Sequence, residues 1–172
     1  MMNGESFDTI KAELVQLLAA RGQTITTAES CTGGLVAAAI VDVPGASDVL
    51  SEAHVTYSEA AKQKIAGVSG TTLQKYTAVS EETAREMALG VRERAGADYA
   101  VATTGLAGPD GDDAGHPVGL VYIACASASG VSVRRFLFEG DRAAIRHKAT
   151  EEALRLALDT IKGGNGTCRR SG

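Results

Sequence analysis

The chain has 172 residues, of which 44% are hydrophobic and 22% are charged, a balance typical of one globular domain. Its net charge of −4 disfavours a nucleic-acid-binding surface, and no apolar run approaches the length of a membrane span. Three widely spaced cysteines do not make a disulfide framework, and the N-terminus lacks the regions of a signal peptide, so we expect a cytoplasmic protein.

Helices and strands alternate in the first half of the predicted structure. Apolar residues at helical spacing predict an amphipathic helix over residues 6–20, and the β-branched run 24–27 predicts a strand. A glycine turn at residues 29–34 leads into a small apolar helix. A short strand over residues 53–57 then precedes a helix that Ser58 caps.

The second half predicts a helix, three strands and a closing helix. Ser80 is a good N-cap with acidic residues in the first turn behind it, and a strand over residues 99–104 follows. Residues 118–126 and 131–138 predict an antiparallel hairpin, and the last helix begins near Asp141. Early alternation with a late hairpin predicts an α/β fold, a three-layer α/β/α sandwich with a mixed sheet.

The domain organisation is expected to be simple. Residues 1–162 are predicted to form one domain, and the glycine-rich residues 163–172 to form a disordered tail. The edges of the late strands could pair between subunits, which would make a homodimer.

The turn A-E-S-C-T-G-G, residues 28–34, is the first candidate for chemistry. A strand that runs into a glycine turn and a helix holds side chains at the carboxyl edge of the sheet, where ligands bind. Ser30 stands where a nucleophile would, and Cys31 is its rival because a thiol at a helix start gains thiolate character. A mere helix cap is the alternative role of Ser30. The backbone of the turn could bind a phosphate or an oxyanion through Cys31, Thr32, Gly33 and Gly34.

A serine nucleophile needs a base, and the histidines do not offer one. His54 lies in or beside a strand, His116 in a loop and His147 on an exposed helix face, and none has metal-ligand spacing. That leaves Lys62 and Lys64, because burial beside the serine would lower a lysine pKa and free its amine to accept a proton. A solvated lysine on an exposed helix is the alternative.

Two further groups could contact a substrate. The strand end A-T-T-G-L-A-G-P carries Thr103, Thr104 and Gly105, whose hydroxyl and amide groups could orient a ligand. Arg142 and Arg146 stand four residues apart on the last helix and could clamp a phosphate. A plain turn and surface ion pairing are the respective alternatives.

Five motifs in this order resemble the CinA C-terminal domain family, the nicotinamide mononucleotide (NMN) amidohydrolases of bacteria, over roughly residues 8–162. The motifs are A-E-S-C-T-G-G, Y-S-x-x-x-K, A-T-T-G-L-A-G-P, P-V-G-x-V-Y and G-D-R-x-x-x-R. The resemblance implies a three-layer α/β/α domain that converts NMN to nicotinate mononucleotide and ammonia in pyridine nucleotide recycling. It also implies the stand-alone form, without the N-terminal domain of longer members.

The resemblance implies a role for each matching residue. The family's nucleophile falls on Ser30, its lysine on Lys62, its tyrosine on Tyr57 and its strand-end hydroxyl on Thr103 or Thr104. The expected reaction needs no metal ion or organic cofactor, and the expected partner is the nucleotide substrate, with neither nucleic acid nor membrane. Two alternatives stay open: a competence-associated regulatory or interaction module, and a Ser/Lys hydrolase of another small amide.

Overall fold

Within residues 6–163, the part of the chain that this computed structural model describes, five strands form one mixed sheet. The strands are β1 (Ile25–Glu29), β2 (His54–Val55), β3 (Tyr99–Gly105), β4 (Leu120–Ser127) and β5 (Gly130–Leu137). Their order is β2-β1-β3-β4-β5; β1 is parallel to β2 and β3, whereas β4 is antiparallel to β3 and β5. The predicted mixed sheet is confirmed, and three parallel strands end at one edge of it.

Helices cover both faces of this sheet and complete the predicted three layers. The helices are α1 (Phe7–Arg21), α2 (Leu35–Val41), α3 (Glu59–Ala66), α4 (Gly70–Tyr76), α5 (Glu81–Ala95) and α6 (Arg142–Gly163). Helices α1, α2 and α6 pack over one face around a large aliphatic core. Helix α5 lies against the other face, with α3 and α4 packed beside it.

The two faces of the sheet carry side chains of different size. Towards α6 the central strands present larger residues such as Val101 and Ile123, whereas towards α5 they present alanines. Five alanines form that second surface: Ala28, Ala100, Ala102, Ala124 and Ala126. Small side chains let α5 pack closely against this face of the sheet. Helix α3 lies on the same side, next to α5.

Local sequence signals explain most helix boundaries. The hydroxyls of Ser6, Ser58 and Ser80 each accept a hydrogen bond from the amide three residues later, as N-caps do. Gly22 and Gly96 end α1 and α5 in the left-handed conformation that glycine adopts readily. Helix α4 and a short 3-10 helix at Ala46–Asp48 were not predicted, because each is too short to show an apolar period.

The late hairpin forms as predicted, with its ends shifted by one or two residues. Ser127 pairs with Gly130 across a two-residue turn, and β5 is the antiparallel edge strand of the sheet. The predicted tail, residues 163–172, lies outside the described residues from 164 onward, as do residues 1–5. None of the helices over residues 6–163 is both long and apolar enough to span a membrane.

Candidate active site

Ser30 lies at the carboxyl end of β1, between two neighbouring parallel strands. Its amide donates to the carbonyl oxygen of Thr103 on β3, 3.0 Å away, and the amide of Thr56, which follows β2, donates to the carbonyl oxygen of Glu29 at 2.8 Å. Only 8% of Ser30 is exposed. The predicted nucleophile therefore sits at the sheet edge where parallel strands end, the usual ligand edge of such folds.

Lys62 reaches Ser30 from helix α3. Its Nζ lies 2.9 Å from Ser30 Oγ and donates to the carbonyl oxygen of Thr56, also at 2.9 Å. A neutral amine that gives one N–H to a carbonyl keeps its lone pair for another partner, and Ser30 Oγ is the group in place to use it. Lys64, the other lysine that the sequence offered as a base, lies two residues further along α3 and is exposed.

Burial controls the charge of this lysine. Lys62 is 2% exposed, and desolvation lowers its pKa from 10.5 to about 8. About a tenth of the amine is therefore uncharged at pH 7, where an ordinary lysine is almost entirely protonated. The arrangement can remove a proton from a hydroxyl group and return it to a leaving group.

Cys31, the rival nucleophile, lies in a setting that suppresses its ionisation. The thiol is buried, and this desolvation raises its pKa to about 11. The thiolate, which is the reactive form, is then scarce near neutral pH. Cys31 lines the same cavity as Ser30, but Ser30 is the residue whose side chain receives the hydrogen bond from Lys62 Nζ.

The amides at the start of α2 are occupied inside the protein. Gly33 donates to the carbonyl oxygen of Ser30 at 3.1 Å, and Gly34 donates to a carboxylate oxygen of Glu29 at 2.9 Å. Both glycines have positive φ, 60° and 102°, which lets the turn bring these amides inward. The sequence analysis included Glu29 only as part of the turn and gave it no role. The one sequence feature that could have drawn attention to it is an acidic residue at the end of a buried strand.

The two threonines at the end of β3 have separate contacts. Thr103 Oγ1 lies 2.8 Å from Thr32 Oγ1 and is fully buried, whereas the Thr104 hydroxyl donates to the carbonyl oxygen of Ala78 at 2.6 Å. Thr104 lines the cavity and joins β3 to the segment after α4. That segment contains Thr77, whose φ of 70° is unusual for a residue with a β-branched side chain.

A cavity of about 460 Å³ opens beside the Ser30–Lys62 pair. The loop after β3 forms one wall and residues 77–79 form another. Of the predicted site residues, Ser30, Cys31, Tyr57, Lys62, Thr104, Gly105 and Arg142 line it. The others surround the turn instead of the cavity: Thr32, Gly33, Gly34, Thr103 and Arg146.

The two arginines of α6 have different neighbours. Arg142 donates to the carbonyl oxygen of Gly108 at 2.7 Å and to the hydroxyl of Tyr57 at 3.0 Å, at the cavity rim. Arg146 donates to the carbonyl oxygens of Cys31 and Thr32, at 3.0 and 2.9 Å. Arg142 is thus placed to meet a ligand, and Arg146 holds the turn that carries Ser30.

Tyr57 has a more open position than Ser30 and Lys62. It is 60% exposed, and its hydroxyl accepts the hydrogen bond from Arg142. Sequence reasoning missed several residues that line the same cavity, namely Glu59, residues 77–79 and the loop residues Asp110, Asp112 and Asp113. The position of residues 77–79 depends on the unpredicted helix α4.

Comparison with known proteins gives one consistent family. The family model described as the CinA C-terminal domain matches residues 7–161. The chain is 46% identical to "Nicotinamide-nucleotide amidohydrolase PncC" of Enterobacter agglomerans, across 91% of this chain and 96% of that protein. It is 49% identical to the protein of the same name in Escherichia coli strain K12, across 84% of this chain and 88% of the other.

Solved structures agree with this match. The competence-damaged protein (CinA) superfamily protein of Enterobacter cloacae superposes with a TM-score of 0.90 at 35% identity, covering 94% of this chain and 95% of that one. The competence/damage inducible protein CihA of Agrobacterium tumefaciens gives a TM-score of 0.87 at 35% identity, covering 94% and 99%.

Proposed function

The chain belongs to the CinA C-terminal domain family, and from that premise we propose that it hydrolyses the carboxamide of NMN to nicotinate mononucleotide and ammonia. Two relatives that bear the name nicotinamide-nucleotide amidohydrolase match it at 46% and 49% identity over most of both chains. The observation that carries the mechanism is the 2.9 Å contact between Lys62 Nζ and Ser30 Oγ in a buried setting. The product would return to pyridine nucleotide recycling.

The first half of the reaction forms an acyl-enzyme. Uncharged Lys62 takes the Ser30 proton while Ser30 Oγ attacks the amide carbon, and the carbonyl π electrons move to oxygen. The tetrahedral intermediate collapses as the Lys62 ammonium protonates the nitrogen, and ammonia leaves. The carbonyl oxygen of Thr56 keeps the amine aimed at Ser30 throughout.

The second half releases the acid. Water attacks the ester carbon and gives a proton to Lys62. The bond from the carbon to Ser30 Oγ then breaks, the Lys62 ammonium returns the proton to Ser30 Oγ, and nicotinate mononucleotide leaves. The negative oxygen of each intermediate needs a donor, and the amide of Cys31 is the proposed one because Cys31 follows the nucleophile and lines the cavity. Loss of one such donor costs about 3 kcal/mol in comparable sites.

The substrate phosphate is proposed to lie near Arg142. This guanidinium lines the cavity and uses one N–H each on Nη1 and Nη2 for Gly108 and Tyr57, which leaves further donors for an anion. Arg146 is engaged with the Ser30 turn and is not assigned to the phosphate. The carboxamide then points towards Ser30 at the floor of the cavity.

One experiment tests this function. Purified protein is incubated with NMN in the presence of a chelator, and ammonia and nicotinate mononucleotide are measured by mass spectrometry, with Ser30→Ala and Lys62→Ala beside the wild type. We expect product from the wild type and almost none from either variant. No product from the wild type would favour the interaction-module alternative, and normal turnover by Ser30→Ala would assign the nucleophile elsewhere.

The substrate class is tested in the same assay. Nicotinamide, nicotinamide riboside and NAD share the carboxamide but differ in the group attached to the ring. We expect NMN to give the highest kcat/KM. A higher value for an amide without the ribose phosphate would support the alternative of a Ser/Lys hydrolase acting on another small amide.

A further inference from the structure

Glu29 is a buried carboxylate immediately before the nucleophile. It is 1% exposed and lies at the end of β1. Five hydrogen bonds reach its two oxygens, from Thr32 Oγ1 (2.6 Å), Ala37 N (2.8 Å), Gly34 N (2.9 Å), Val36 N (3.1 Å) and Thr27 Oγ1 (3.3 Å). The first turn of α2 is thereby tied to the residue that precedes Ser30.

This carboxylate also connects the turn to β3. Because a carboxylate only accepts, the Thr32 hydroxyl gives its proton to Glu29, and the Thr103 hydroxyl must then donate to Thr32. Thr103 also contacts Ser30 directly, because its backbone carbonyl oxygen accepts a hydrogen bond from the Ser30 amide. The chain of contacts from Thr103 through Thr32 to Glu29 encloses the backbone of Ser30.

We propose that Glu29 is a positioning residue, which fixes Ser30 Oγ within hydrogen-bond reach of Lys62 through Thr32 and Thr103. The proposal rests on the proposed role of Ser30 as nucleophile. Glu29 does not line the cavity, so it acts through Ser30 and not on the substrate. Its carboxylate occupies the amides of Gly34, Val36 and Ala37, and these donors serve the geometry of the turn instead of a ligand.

The proposal predicts a loss of turnover without a loss of binding. The substrate contacts the cavity walls, which Glu29 does not form, whereas proton transfer needs Ser30 Oγ and Lys62 Nζ in line. A displacement of about 1 Å at a reacting atom lowers rates by about 100-fold. A residue that only stabilised the fold would change the melting temperature and leave the kcat of the folded protein unchanged.

Two substitutions interrupt the hydrogen bonds from Thr103 through Thr32 to Glu29 at different points. Glu29→Gln keeps the shape, but in either orientation its NH2 group faces two or more of the donors that the carboxylate accepts. Thr103→Val removes the hydroxyl that holds Thr32 and leaves Glu29 with all five of its partners, so it tests the proposal even if Glu29→Gln does not fold. Thr103→Ser restores the hydroxyl and is the matched rescue variant.

The readouts are kcat and KM for NMN, and the rate at which a fluorophosphonate probe labels Ser30, all measured below each variant's melting temperature. We expect Thr103→Val and Glu29→Gln to lower kcat and labelling at least about tenfold with KM within about twofold, and Thr103→Ser to recover most of both. Thr26→Val is the control, because Thr26 lies on the same strand and donates to Glu52, away from the site.

The labelling assay separates this proposal from the proposed function. If the wild type does not hydrolyse NMN but the probe labels Ser30, the function is wrong and the labelling rates still test Glu29. The positioning role is overturned if folded Glu29→Gln or Thr103→Val labels Ser30 at the wild-type rate, or if Thr103→Val and Thr103→Ser lose activity equally. It is also overturned if KM rises in step with the loss of kcat, or if the probe does not label wild-type Ser30.

Discussion

Lys62 Nζ and Ser30 Oγ lie 2.9 Å apart although 32 positions separate them in the chain. Helix α3 brings the amine to the end of β1, and the carbonyl oxygen of Thr56 fixes its orientation. Both side chains are buried, and desolvation lowers the pKa of Lys62 to about 8. The short distance, the orientation of the amine and its lowered pKa all favour proton transfer between these two groups.

The first prediction concerns pH. In the proposed mechanism only uncharged Lys62 accepts the Ser30 proton, and burial lowers the pKa of this lysine to about 8. We therefore expect kcat/KM for NMN to rise about tenfold per pH unit below that value and to level off above it. The measurement is a pH–rate profile from about pH 6 to about pH 9.5. A flat profile over this range would assign the proton transfer to another group.

The sequence predicted Ser30 and two candidate lysines because both signals are local. A strand, a glycine turn and a helix start can be read along the chain, and so can a serine-capped helix that carries Lys62. To choose Lys62 over Lys64 from the residues alone, one must know which face of α3 is buried. That face is set by the packing of α3 against α5. Spacing within a helix does not report that packing.

Hydrogen bonds that buried side chains make with residues brought close only by folding could not be predicted from the sequence. The role of Glu29 follows from five donors that converge only after α2 has folded back over β1. Likewise, the cavity wall at residues 77–79 follows from α4, a seven-residue helix with Gly70 at its start and too little length for an apolar pattern.

The second prediction concerns stability. The unfolded chain holds the Lys62 proton up to the ordinary pKa of 10.5, whereas the folded chain releases it at about 8. Burying this charge destabilises the protein fully below about pH 8, decreasingly up to about pH 10.5, and not above it. We expect Lys62→Met to be more stable than the wild type at neutral pH by about 1 to 2 kcal/mol, and by less as the pH rises.

Thermal unfolding at about pH 7 and about pH 10 measures this difference, at about 2 to 4 °C for each kcal/mol. Lys64→Met is the matched control, because Lys64 is exposed on the same helix. A Lys62→Met protein that melts below the wild type at neutral pH would contradict the prediction. In that case the hydrogen bonds to Ser30 and Thr56 outweigh the cost of burying the amine.

The third prediction concerns the phosphate. If Arg142 binds this group, Arg142→Gln removes a charge-assisted hydrogen bond of about 1.5 to 3 kcal/mol, which corresponds to at least about a tenfold rise in KM for NMN. Nicotinamide riboside lacks the phosphate, so its kcat/KM should change little. Arg135→Gln is the control, because Arg135 is exposed on β5. Equal losses with both substrates would mean that Arg142 acts through Gly108 and Tyr57.

The fourth prediction concerns the contact between α3 and α5. A Cβ added at Gly90 on α5 would lie 1.7 Å from the carbonyl oxygen of Ala66, the last residue of α3. Backbone cannot move aside as a flexible side chain can, so Gly90→Ala must push α3 away from α5. We expect a loss of about 1 to 3 kcal/mol in unfolding free energy, together with a lower kcat because α3 carries Lys62.

Denaturant unfolding and steady-state kinetics measure the two effects separately, and Leu89→Ala is the control. Leu89 is 44% exposed on the same helix, so its truncation should change stability by only about 0.5 kcal/mol. A fluorophosphonate labelling rate for Ser30 then reports whether the lysine has moved, independently of substrate binding. If Gly90→Ala loses stability but keeps the wild-type labelling rate, the position of Lys62 is set by its contacts with Ser30 and Thr56 and not by the packing of α3 on α5.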